Sequence, residues 1–426
     1  MAPICFQMNQ PLLLGMGILY LLSCVSAKIT YDGYKVYRMW PNTEDQRMYL
    51  KNLEDDEVHD FWAGVTKPDR PVEVMVKPED QVNFVLSMLE IGLEPEMFVE
   101  NVNKLVDPSQ VGSYNRAGMT WTEYFRIDDI YSWFDDLATA NPTKVSIVDG
   151  GSTFEGRQIK GVKISNGPGK KAVFFEGGIH AREWIGPATV TYIINELLAS
   201  KDLEFKQIAD SFDWYLFPVT NPDGYEYSHT DARHWRKTRT IYPGTCRGAD
   251  PNRNWNIHWM EQGASTNCSS DTYAGPKAFS ELETASLSEF IKTIGNDLVG
   301  YISFHAYGQM LMVPYGHTEE HLDNYNDTLF QIKRPTHGVV DHPSLILGIV
   351  FVRIGYKDKA SGSSLDWVKN EFGTPLVYVY ELRDRGHFGA FLPADQIIPN
   401  SLEIVDSLVA MFQEADKRGI VDLIQK

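Results

Sequence analysis

From Thr120 to the C-terminus, short apolar runs of strand length alternate with longer stretches in which apolar residues recur every three or four positions. Strands are expected at 145–149, 159–164, 172–177, 214–219, 299–305, 310–314 and 376–380, and helices at 127–138, 187–199, 281–294 and 397–414. This alternation restricts the region to an α/β fold, a mixed and mostly parallel sheet flanked by helices on both faces. Functional side chains are then expected on loops at strand ends.

At 426 residues the chain exceeds the usual size of one domain, so a second unit is expected. The stretch before the alternation has a different rhythm. Strands at 34–40, 58–63 and 72–76 with helical stretches at 43–53, 78–89 and 96–105 suggest a small α+β open sandwich that carries none of the candidate chemistry below. The connector from Asp107 to Arg116 is rich in turn formers, as an exposed linker should be. Residues 1–27 hold no charged side chain and an apolar run from Pro11 to Val25, ending at the small residues Ser26 and Ala27. They resemble a signal peptide cleaved after Ala27, although the customary basic residue is missing, and the run is shorter than the ~20 residues of a spanning helix. The expected divisions are therefore 1–27, 28–116 and 117–426, in a secreted, extracellular protein with no stable membrane association.

A formal net charge of -18 with no basic run argues against a nucleic-acid partner, since a phosphate backbone is held by clustered Lys and Arg. Of four cysteines, Cys5 and Cys24 would leave with the leader. The remaining Cys246 and Cys268 suit a disulfide, worth about 3 kcal/mol by loop-closure entropy. Two separate buried thiols are the plainer alternative.

Chemistry concentrates at strand ends. Gly177-Gly178-Ile179-His180-Ala181-Arg182-Glu183 places an imidazole and a carboxylate three residues apart, a spacing that lets both share one metal ion. His305 ends another apolar strand and is a candidate third ligand. Two His and one Glu with an open position form a catalytic rather than a structural zinc pattern. His-x-x-Glu alone is common, and His305 by itself also suits a satisfied core histidine.

Further motifs occur in order: Asn221-Pro222-Asp223-Gly224-Tyr225, Trp235-Arg236-Lys237-Thr238-Arg239, Asp250-Pro251-Asn252-Arg253-Asn254-Trp255, Ser303-Phe304-His305-Ala306-Tyr307 and Tyr380-Glu381-Leu382-Arg383-Asp384. Together with the His180 segment they make the second unit similar, over nearly its whole length, to metallocarboxypeptidases of the carboxypeptidase A/B type. Residues 28–116 more weakly resemble that family's activation pro-domain. The resemblance implies a carboxypeptidase-like catalytic domain and one Zn2+ per chain on His180, Glu183 and His305. It places Asp250 behind His180, Glu381 as general base and Arg236 at the developing oxyanion. Asn252, Arg253 and Arg182 fall where the family grips the substrate's terminal carboxylate, and Tyr307 where it binds substrate. Peptide or protein C-termini are the implied substrates, and Arg116 suits a trypsin-like activating protease.

Leu365 corresponds to the base of the family's terminal side-chain pocket, with Met312, Gly316 and Val379 at its walls. That apolar floor implies a preference for apolar or aromatic terminal residues. The family's capping tyrosine is displaced: its position holds Asp358, and the role is carried to Tyr356. This departure leaves a catalytically weak or silent peptide-binding homologue as the alternative, whereas a serine hydrolase lacks the Gly-x-Ser-x-Gly motif. His317-Thr318-Glu319-Glu320-His321 matches an inverted zinc signature but lies in a polar stretch and reads as a solvated loop. Sequons at Asn267 and Asn326 are compatible with secretion.

Overall fold

The computed structural model describes residues 29–55, 59–65, 71–106, 108–114, 118–318, 320, 350–351 and 359–424. The expected leader, Arg116, Tyr356, Asp358, Glu319, His321 and Asn326 lie outside the described residues.

Strands β1 (Lys35–Met39), β2 (Asp60–Ala63), β3 (Val72–Val76) and β4 (Glu96–Val99) form an antiparallel sheet in the order β2-β3-β1-β4. Helices α1 (Glu44–Asp55) and α2 (Gln81–Glu90) cover it, and Tyr37, Leu50, Val74 and Phe84 are buried between the layers. Residues 96–105, helical by local pattern, instead divide into β4 and a 3-10 turn at Val102–Leu105. The free edge of β1 accounts for this: Arg38 pairs with Glu96 and Tyr37 with Met97, and ladder bonds outweigh local propensity.

The larger sheet comprises β5 (Val145–Ser152), β6 (Gln158–Ile164), β7 (Ala172–Gly177), β8 (Asp213–Phe217), β9 (Leu298–His305), β10 (Met310–Met312), β11 (Val350–Phe351) and β12 (Leu376–Glu381). Its order is β11-β10-β12-β9-β7-β8-β6-β5. The central four, β12, β9, β7 and β8, run parallel, whereas β6 and β10 join antiparallel at either side. Helices α3 (Ile127–Ala140), α4 (Ile185–Ala199), α5 (Leu203–Ser211), α6 (Pro222–Thr230), α7 (Leu282–Ile294), α8 (Ser364–Phe372) and α9 (Ile397–Lys417) complete the unit.

Alternation along β7 shows how both faces are sealed. Phe175 joins Trp214 and Phe304 on one face with residues of α4 and α9, while Phe174 joins Phe217 and Tyr301 on the other with residues of α7 and α8. The α/β expectation holds. Three helices, α5, α6 and α8, go beyond it. The start of α6 lies inside a Gly-containing motif, yet Pro222 stands at its first turn and Asn221 accepts from Gly224 N at 3.0 Å. Cys246 and Cys268 are bonded, with Cα atoms 5.5 Å apart.

Candidate active site

Where β7 ends, Gly177-Gly178 lets the chain double back into α4. Gly178 has φ +59, and an added Cβ would meet Pro187 Cγ at 3.0 Å and Pro218 O at 3.1 Å, so no other residue fits without movement. The turn that follows carries His180 and Glu183 on one side, and Ala181 N donates to Arg236 O at 3.0 Å, pinning it to the Arg236 segment. His305 arrives from the end of β9, next to β7 in the sheet.

These three side chains converge in the interior. Glu183 Oε1 lies 2.9 Å from His180 Nδ1 and Oε2 lies 3.1 Å from His305 Nδ1, while the two Nδ1 atoms are 3.1 Å apart. All three are buried. Two imidazole nitrogens and a carboxylate aimed at one point, with His180 tied through its other nitrogen to Asp250, form a donor set that suits zinc. Among the described residues it is the one such cluster.

The buried groups shift one another's protonation. Burial opposes ionisation of Glu183, but His180 and then His305 hold its carboxyl below the usual range. Burial likewise disfavours the His305 imidazolium, yet Glu183, Glu381 and Glu176 raise it above its ordinary value. Glu381, at the end of β12, stands directly opposite His305 in the parallel β9–β12 ladder. Burial pushes its carboxyl up to about 8, with His305 and Arg236 drawing it down and Glu183 raising it. Glu381 is not drawn into an ion pair with the nearby Arg383, which pairs with Glu403 and Gln396.

Asp250 serves three partners. Its Oδ1 lies 3.1 Å from His180 Nε2, and its Oδ2 accepts from Arg236 Nη2 at 2.9 Å. Asn252 N donates to the same carboxylate at 2.8 Å, and Asn252 Oδ1 accepts from Ser364 N at 3.0 Å. Arg253 donates to Gly263 O at 2.7 Å and to Asn252 O at 3.0 Å. A Cβ at Gly362 would meet Arg253 O at 2.3 Å, which requires glycine there.

A cavity of 340 Å³ is lined by the cluster, Glu381, Arg236, Asn252 and Arg253 together with Leu365, Met312, Gly316 and Val379. Arg182 and Tyr307 also line it. His317 does not join the cluster: its Nδ1 is 2.9 Å from Asp366 Oδ2 and its ring stacks on His258 at 3.8 Å.

Residues 130–407 match the zinc carboxypeptidase family, and residues 37–108 match the carboxypeptidase activation peptide. Zinc carboxypeptidase A 1 of Anopheles gambiae is 40% identical over 411 residues, spanning 94% of each chain. The chain belongs to the zinc carboxypeptidase family. Human carboxypeptidase A1 is 36% identical, over 92% of this chain and 96% of its own. Among solved structures, carboxypeptidase A from Helicoverpa armigera superposes with TM-score 0.76 at 25% identity over 91% of this chain and 98% of its own. Thrombin activatable fibrinolysis inhibitor does so with TM-score 0.78 at 26% identity, over 90% and 98%. The protein is thus a metallo-exopeptidase with an activation peptide, and no helix among the described residues is long and apolar enough to cross a membrane.

In this zinc carboxypeptidase the small N-terminal unit reaches into the site. Trp62 lines the cavity, its carbonyl accepts from Tyr307 Oη at 2.6 Å, and Asp60 Oδ2 lies 2.5 Å from His234 Nδ1. Neither Asp60, Trp62 nor His234 stands out in the sequence. A surface-type Asp and Trp on one short strand are the only local trace of the contact.

Proposed function

We propose that the chain is a secreted zymogen whose activated form hydrolyses the C-terminal peptide bond, preferring apolar or aromatic terminal residues. The observation that supports it best is that Glu381, the His180–Glu183–His305 cluster and the Asn252–Arg253 pair face one cavity with an apolar wall at Leu365. Export is read from the uncharged leader and the paired cysteines, and activation from Arg116, which a trypsin-like protease would cut.

His180, Glu183 and His305 would hold zinc, which when bound supplies Lewis-acid polarisation of the scissile carbonyl and lowers the pKa of water at the site. Arg253, assisted by Asn252 and by Arg182 nearby, holds the substrate's terminal carboxylate as a planar donor pair. Glu381 removes a proton from the attacking water and later delivers it to the departing amine nitrogen. Arg236, anchored by Asp250, donates to the oxygen on which negative charge develops. Leu365, Met312 and Val379 accept an apolar terminal side chain, where an unpaired ammonium would be costly to bury.

Trypsin-treated protein should contain one zinc per chain and release C-terminal Phe well ahead of C-terminal Arg from matched peptides. Glu381→Gln should keep the zinc and lose release by about 10²- to 10⁴-fold. Zinc retained by the wild type with no release of either residue would instead favour a peptide-binding homologue.

A further inference from the structure

Behind the wall of the cavity a second pair of histidines is held in contact. Gly316 and Leu365 line the cavity, whereas their chain neighbours His317 and Asp366 do not. Asp366 is buried and accepts from Gly316 N at 2.9 and 3.0 Å, and its Oδ2 lies 2.9 Å from His317 Nδ1. The His317 ring stacks on that of His258, with centroids 3.8 Å apart and planes at 19°. His258 is tied in the same way, its Nδ1 2.9 Å from Glu261 Oε2.

Each ring thus gives one nitrogen to a carboxylate. A proton on Nδ1 leaves the Nε2 lone pair available, and no hydrogen bond among the described residues reaches either Nε2. Carboxylates placed like this stand behind most metal-bound imidazoles, as Asp250 stands behind His180 in this chain. Two rings stacked this closely also keep their remaining nitrogens near each other. The backbone is committed to the arrangement. His258 has φ +45, in the left-handed region that a non-glycine residue enters only where its surroundings impose it. Here Gly362 N donates to Ile257 O at 2.9 Å and Glu261 N to His258 O at 3.1 Å.

We propose that His258 and His317 form a second metal site, on the outer side of the pocket wall, for a borderline divalent cation such as Zn2+ or Cu2+. Imidazole nitrogens suit these ions rather than Mg2+ or Ca2+. Zn–N bonds of about 2.0–2.1 Å require the two rings to splay, which the 40% exposure of the His258 side chain permits. Two protein ligands hold an ion less firmly than the three of the catalytic cluster, so this ion leaves on dialysis while the catalytic zinc stays. When bound it joins His317 to His258 and, through Asp366, braces the turn that carries Gly316.

The test uses the full-length chain, loaded with zinc, dialysed to one zinc per chain and titrated calorimetrically with Zn2+ or Mg2+ at pH 7.5. A second equivalent of Zn2+ should bind, and Mg2+ should not. His258→Ala and His317→Ala should each weaken that second step by at least about tenfold, and Glu261→Ala, which removes only the carboxylate behind His258, by about tenfold. All three variants should keep one zinc after dialysis, which separates loss of the second site from loss of the fold. Cu2+ added to the zinc-loaded chain should show hyperfine splitting from two imidazole nitrogens, reduced to one by His258→Ala. Added Zn2+ should raise the melting temperature of the wild type and leave that of His258→Ala unchanged. A titration that ends at one zinc, a second equivalent that survives both histidine variants, or a copper spectrum unaltered by His258→Ala would overturn the proposal.

Discussion

Asp250 and His180 meet carboxylate to imidazole: Oδ1 stands 3.1 Å from Nε2, and both side chains are buried. The contact fixes which ring nitrogen faces Glu183 and His305, and the other carboxylate oxygen aims Arg236. Asp250→Asn should therefore weaken zinc binding by about 10- to 100-fold, as losses of such partners typically do. Chelator competition at neutral pH measures it, and an unchanged zinc affinity would mean the ring is held by its backbone alone.

Arg236 hangs from Asp250 at 2.9 Å and has Nη1 3.6 Å from Glu183, so it is preset before substrate arrives. A donor that matters only when charge develops should show in kcat. Arg236→Ala is expected to lower kcat by about 10²- to 10³-fold with KM changed far less. Steady-state kinetics on C-terminal Phe peptides separate the two, and a rise confined to KM would assign Arg236 to ground-state binding.

Leu365 is buried in the cavity wall beside Met312 and Val379. Leu365→Asp should invert terminal preference, cutting kcat/KM for Phe by about 10- to 100-fold and raising it for Arg, because a buried carboxylate needs a cationic partner. The melting temperature should also fall, by an amount that added C-terminal Arg partly restores. Retention of the Phe preference would place the specificity elsewhere.

Docking of the N-terminal unit should weaken in acid. Burial lowers His234 below its ordinary value although Asp60 opposes this. Burial would raise Asp60, but His234, Arg182 and Arg236 bring its carboxyl down to about 2. Both groups hold protons less readily when docked than when free. Each contribution is therefore full above the free group's pKa and lost as pH falls through the docked value. For His234 the loss starts below about 6.5, and for Asp60 it runs from about 4 down to 2. Hydrogen exchange of residues 60–63, corrected for intrinsic rates, should be faster at pH 5 than at pH 7.5. His234→Phe should remove most of that difference, whereas a rate independent of pH would show that docking does not involve these groups.

What could be read beforehand divides along physical lines. His180, Glu183 and Glu381 sit where apolar strands stop, and strand ends are visible in the sequence, so the centre of the site was legible. Residues 96–105 carry a helical local pattern, whereas the pairing that makes Glu96–Val99 a strand comes from β1, some sixty positions away. The contacts of Asp60, Trp62 and His234 are invisible for the same reason: they join two units through side chains that have no shared period.

His305 and Glu381 are opposite partners in the parallel β9–β12 ladder, and β9 pairs in turn with β7, which delivers His180. Parts of the chain 76 and 125 residues apart must find one hydrogen-bond register before any of this chemistry exists. Pairings of such separation form late in refolding, because loop-closure entropy precedes their reward. After dilution from denaturant, enzyme activity should therefore lag behind collapse and helix formation and reappear with the locking of the central strands.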